Sequence, residues 1–132
     1  MLVANNTRRR GADPVRAQEL SDRTVLITVT GGIDASSAPD LCERIQRQAT
    51  GYRQVVLDLS EVDFFGTAGY SLLHRMHVRC AGAAIDWVLV TGREVQRLLR
   101  VCDPDGILPT AANIVSAVAT LARITQLRNG LR

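Results

Sequence analysis

The chain contains no lysine; all sixteen of its basic residues are Arg. That pattern reads as the codon usage of a GC-rich genome rather than as a physical requirement. Aromatic residues are scarce, with one Trp, two Tyr and two Phe in 132 residues. The core must therefore come from Val, Leu, Ile and Ala, and a base-stacking surface is not on offer. The three cysteines, Cys42, Cys80 and Cys102, are odd in number, far apart and never paired as CxxC. This excludes a disulfide framework and a cysteine zinc site, and leaves reduced thiols packed on apolar helix faces. No uncharged run supplies the ~20 apolar residues of a membrane span. The opening MLVANNTRRR carries its charges after a short apolar start, the reverse of a signal peptide, so a cytoplasmic location without membrane insertion is expected. Neither GxSxG, nor a P-loop, nor GxGxxG is present, and there are only two His. These absences point away from an enzyme and from a cofactor.

The formal charge is +3, but it sits at the ends. Residues 21–122 hold nine Arg against eleven Asp and Glu, so the body is slightly acidic. Nucleic-acid binding needs a basic face on the folded part, which this distribution does not provide. Residues 1–13 are polar, Arg-rich and without periodicity, and read as a disordered segment. Thr7 within it, like Thr24 further on, is a hydroxyl within reach of a kinase. Residues 14–127 read as one domain, and 128–132 as a frayed tail.

Within that domain the periodicity alternates. Val15–Leu20 and TVLITVT (Thr24–Thr30) read as strands joined by a Ser21-Asp22-Arg23 turn, hence antiparallel. Ala38, Leu41, Cys42, Ile45 and Ala49 lie on one helical face, with Ser36 or Ser37 as cap, Pro39 in the first turn and Gly51 as stop. QVVLDLS (Gln54–Ser60) is a continuous apolar run of the kind buried on both faces of a parallel sheet. A helix follows from about Thr67 to Gly82, with Leu72, Leu73, Met76 and Cys80 inward. Ala84–Thr91 is a further strand, and residues 93–102 a helix with an Arg93, Arg97, Arg100 stripe outward. That stripe is either solvated or a rim for an acidic partner. Ile107–Pro109 suits a short edge strand, and 112–127 a last helix. Strands alternating with helices imply right-handed crossovers and a largely parallel sheet.

The segment VDFFGTAGY (Val62–Tyr70) stands at a strand-to-helix junction, where binding sites of α/β sheets collect. Thr67 there is either a helix cap or a modifiable hydroxyl, since a phosphate at a helix N-terminus accepts hydrogen bonds from free N–H groups. Gly66 leaves room beside the hydroxyl. Gly69 would let another surface approach the first turn. Asp34 suits an Asx-type cap. Asp58 is either a buried hydrogen-bonded acid or a group at the carboxyl edge of the sheet. His74, His77 and Cys80 share a helix at spacings of three, a pattern far more common on a half-exposed helix side than in a metal site.

VVLDLSEVDFFGTAGYSLL resembles the signature of STAS domains, the anti-sigma factor antagonist family: an apolar strand ending D-L-S, a loop of V-D-F-x-D-S-S-G-L type, then a helix. TVLITVTGGIDASSAPDL resembles the family's G-E-L-D turn into its first helix, and VTGREVQRLLRVCDPDGIL its next strand, helix and turn. The resemblance spans roughly residues 15–122. It implies an α/β STAS fold, a small mixed, largely parallel sheet of four to five strands packed against about four helices. It implies a bacterial partner-switching protein that binds an anti-sigma factor, usually a serine-threonine kinase with a histidine-kinase-like ATPase fold, and so frees a sigma factor. Thr67 stands at the family's phosphoacceptor position, and a phosphatase would reset it. Ala68 stands at the second hydroxyl position, Gly69 at the family glycine, and Gly66 where the family commonly has Asp, a role Asp63 is placed to share. Asp34, Phe65, Gly66, Thr67, Ala68, Gly69, Tyr70 and Leu73 are the expected partner-binding residues, with Phe64 a candidate for either surface or core. A related alternative is the STAS subunit of an ABC-type lipid-transport ATPase, whose D-T-A-G-L loop is close to G-T-A-G-Y. There the threonine contacts the ATPase without phosphate. A third reading is a small-molecule sensor using a pocket at the sheet edge.

Overall fold

The computed structural model describes residues 13–130. Strands β1 (Val15–Glu19) and β2 (Thr24–Val29) form an antiparallel hairpin, Val15 opposite Val29 and Glu19 opposite Val25. Its turn is tied by Ser21 Oγ, which accepts from the N–H groups of Arg23 and Thr24 at 3.1 Å each. A three-residue strand β3 (Gly31–Ile33) leads to helix α1 (Ala38–Ala49). Strand β4 (Gln54–Asp58) is followed by β5 (Val62–Phe65) and helix α2 (Thr67–Gly82). Strand β6 (Asp86–Val90), helix α3 (Gly92–Cys102), strand β7 (Thr110–Ala111) and helix α4 (Ile114–Gly130) complete the described chain.

The main sheet has the order β1-β2-β4-β6-β7, with every pair after the first parallel. Four helices and a mixed, mostly parallel sheet are the architecture expected from the alternation. Helices α1, α2 and α3 cover one face, where Ile27, Leu57 and Leu89 meet Ile45, Leu73 and Val95. Helix α4 alone covers the other, setting Ala117 and Leu121 on Leu26, Val56, Val88 and Val90. This explains the unbroken apolar run of β4: its alternate side chains enter two different cores. Burial of these aliphatic side chains is the main source of stability, at about 1.5–3 kcal/mol each.

Four expectations change. The edge strand is Thr110–Ala111, not Ile107–Pro109. The N–H groups of Ile107 and Leu108 are already taken by the Asp103 carboxylate, at 2.9 and 3.0 Å, and Pro109 has none to give. The last helix starts at Ile114, because Asn113 Oδ1 accepts from Ser116 N and halts it there. It runs on to Gly130, and Arg128 donates twice to the Asp86 carboxylate, at 3.0 and 2.9 Å, where fraying was expected. Of the segment expected to be disordered, residues 1–12 lie outside the described chain, as do 131 and 132. Asp13 is ordered: it accepts from Val15 N and pairs with Arg44. Among the described residues no helix is long and apolar enough to cross a membrane.

Candidate partner-binding site

The site is organised by a feature that periodicity did not reveal. Strands β3 and β5 pair in parallel as a separate two-stranded ribbon, Gly32 opposite Phe64 and Ile33 opposite Phe65. The ribbon ends where Gly66 N donates to Ile33 O at 3.0 Å. That bond sets the turn after β3, which carries Asp34, beside the loop that carries Thr67.

The Asp34 turn is held by its own side chains. Asp34 Oδ1 accepts from Ser36 N, Ser36 Oγ and Ser37 N at 2.9, 2.7 and 3.0 Å. Ser37 Oγ accepts in return from Asp34 N at 3.0 Å. The Ser36 hydroxyl, then the backbone N–H of Ser37, draw the Asp34 carboxyl below the ordinary Asp range. Asp34 thus closes an Asx-type turn just ahead of α1, whose cap position Ser37 holds without a side-chain bond, and it is also exposed, beside Thr67.

Thr67 is not the helix cap. Gly66 occupies the cap position in extended backbone, φ −92° and ψ −177°, and Thr67 is the first helical residue. Its side chain is exposed, and among the described residues its hydroxyl has no hydrogen-bond partner. The first turn of α2 itself contains no acid, so no side chain of that turn offsets the partial positive charge of the helix start. A phosphate on Thr67 would sit favourably against those N–H groups.

Three expected contacts are corrected. Phe65 is 7% exposed and belongs to the core, whereas Phe64 is 55% exposed. Adjacent residues of β5 leave opposite faces of the strand, and Phe65 is the ring turned to the core. Gly69 is buried, and a Cβ there would stand 2.4 Å from Phe65 Cε1. The surface that approaches the first turn of α2 is this chain's own Phe65 ring. Leu73 is fully buried and offers no surface to a partner. Of the expected residues, Asp34 and Thr67 are exposed, while Gly66, Ala68 and Tyr70 are half-buried. A Cβ at Gly66 would meet the exposed Phe64 ring at 3.4 Å, so the backbone there leaves room for one added carbon.

The outward face of α2 adds Ser71, His74 and Val78 below Thr67, all exposed. Their spacing of four, three and four from Thr67 was legible as the complement of the buried positions. Tyr70 and His74 have ring centroids 6.3 Å apart. A groove of about 190 Å³ runs between Ala35 and Pro39 on one side and Ala68, Ser71 and Arg75 on the other. His77 is occupied elsewhere: its Nδ1 accepts from Trp87 Nε1 at 3.2 Å. Cys80 is buried, and desolvation, then the Asp86 charge, push its thiol up to about 11. Asp58 is buried at the carboxyl end of β4 and accepts from Ser60 N at 3.0 Å. The Asp63 carboxylate lies over Gly32, 3.8 Å from where a Cβ would stand.

The family model for the STAS domain matches residues 16–117. This chain belongs to the STAS domain family. It is 33% identical over 116 residues to osmosensory protein A of Mycobacterium tuberculosis, covering 85% of this chain and 73% of that protein. It is 28% identical over 102 residues to the anti-sigma-F factor antagonist RsfA of the same species, covering 74% of this chain and 80% of RsfA. Among solved structures, an anti-sigma factor antagonist from Mycobacterium paratuberculosis superposes with a TM-score of 0.71 at 24% identity, over 80% of this chain and 91% of the other. Unphosphorylated SpoIIAA, also an anti-sigma factor antagonist, gives 0.63 at 12% identity, over 85% and 96%. At these identities the superpositions establish the STAS fold.

Proposed function

We propose that this STAS domain is an anti-sigma factor antagonist that acts by binding, without catalysis, in the bacterial cytoplasm. Its partner is an anti-sigma factor of the kinase type, and the contact surface is the Thr67 loop, the outward face of α2 and the Asp34 turn. Binding releases the sigma factor held by that partner. Phosphate on Thr67 opposes binding and a phosphatase restores it. The observation that carries this reading is the exposed Thr67 hydroxyl at a helix start, without a partner among the described residues and flanked by exposed Phe64 and Asp34. A hydroxyl that caps nothing is free to be covered or modified. A dianion buried in that interface without a countercharge would cost far more than the contact gains. The relative named for anti-sigma-F antagonism favours this role over the transport-ATPase subunit.

Titration calorimetry with the kinase-type anti-sigma factors of the source genome tests it. Wild type and Thr67→Ala are expected to bind one of them 1:1, and Thr67→Glu about ten- to a hundredfold more weakly. Equal affinity for all three would end the switch. Failure to bind any of them, with capture of an ABC-type ATPase instead, would end the antagonist reading.

A further inference from the structure

At the opposite end of the sheet lies a cleft of about 320 Å³. It opens at the amino ends of β2, β4 and β6, far in the fold from the loop that carries Thr67. Arg23, Arg53 and Arg128 line it, together with Asp86 and Asn129. Main-chain bonds hold these positions in rank. Arg53 N and Gln54 N both donate to Arg23 O, at 3.0 and 2.9 Å, and Asp86 N donates to Arg53 O at 3.0 Å. Arg23 and Arg53 therefore immediately precede two adjacent parallel strands whose first residues are in register.

The charge of the cleft is unbalanced. Both Asp86 oxygens accept from Arg128, so the one acid in the lining is already neutralised. Among the described residues Arg23 and Arg53 form no ion pair, and both are exposed at the mouth. Two arginines lining a concave, polar space, each with a planar guanidinium fork, match the oxygens of a phosphate group. The charges face a small cleft rather than spreading over a surface, which selects a small anion over a nucleic-acid backbone.

We propose that this cleft binds a small phosphate-bearing molecule through Arg23 and Arg53, with Arg128 fixed by Asp86 beside them. The site lies away from the Thr67 surface, so ligand and protein partner do not compete for the same residues.

The test is a titration of the full chain with inorganic pyrophosphate, followed by ¹⁵N amide shifts and by calorimetry. Saturable shifts confined to the residues around 23, 53, 86 and 128 are expected. The Arg23→Gln/Arg53→Gln variant should lose affinity by about tenfold or more. Arg93→Gln/Arg100→Gln, which removes the same charge from α3, should leave it unchanged. Both substituted arginines are exposed, and an unaltered melting curve will confirm that the variants fold. No saturation by about 10 mM pyrophosphate would overturn the proposal, since that is weaker than the ~1 mM scale of a recognisable site. An equal loss in both variants would overturn it too, by showing only general attraction to arginine.

Discussion

The two ends of the sheet are built by different means. At the carboxyl end, apart from the Asp34 turn that its own side chains hold, the backbone and the smallest residues set the geometry. The β3–β5 ribbon, the Gly66 cap, the ring of Phe65 against Gly69 and the approach of Gly92 to Ser60 leave side chains free to face outward. At the amino end polar side chains do the joining. Thr24 Oγ1 donates to Gln54 Oε1 at 2.7 Å, Gln54 Nε2 donates to Thr125 Oγ1 at 2.8 Å, and Arg128 clamps Asp86. Close backbone packing tolerates no added atom, whereas a polar network weakens by steps. One end is thus rigid in shape, and the other is adjustable in charge.

Gly92→Ala is the hardest blow to this arrangement. Gly92 has φ +74°, and a Cβ would stand 2.5 Å from Ser60 Cα, which is backbone and cannot swing aside. We expect a loss of about 3 kcal/mol or more in urea unfolding. Gly69→Ala comes second, at about 2 kcal/mol, because the Phe65 ring it strikes can move. The double variant Gly69→Ala/Phe65→Leu should recover part of that loss. If Gly69→Ala costs as much as Gly92→Ala, the Phe65 ring is as immovable as backbone. Gln54→Leu, at the other end, should cost about 1–2 kcal/mol by stranding the buried Thr24 hydroxyl, while Thr125 keeps its bond to Leu121 O. It should leave binding through the Thr67 loop untouched. A cost above that of the glycine variants would erase the distinction between the ends.

Much of the fold was legible because it is local. Alternation marked TVLITVT as a strand, and apolar spacing marked the buried faces of α1 and α2 before any contact was known. The site was legible in part. Thr67 stood out by its neighbours, but its hydroxyl was read as a possible cap, and only the placement of Gly66 shows that the cap lies one residue earlier. Phe64 and Phe65 are identical in type and adjacent, so nothing in the sequence says which ring faces out. The direction of β5 decides it.

The sequence by itself determined the elements, the two-sided burial of β4, and the membership of residues 16–117 in the STAS family. These rest on the chemistry of neighbours a few positions apart, which every unfolded chain already carries. Tertiary structure alone decided the pairing of Gly31–Ile33 with Val62–Phe65, the meeting of Asp34 with Thr67, and the convergence of Arg23, Arg53 and Arg128 on one cleft. Those residues lie some thirty to a hundred positions apart. Each meeting is set by strand register and helix docking, which follow from the burial of the core rather than from the residues that meet.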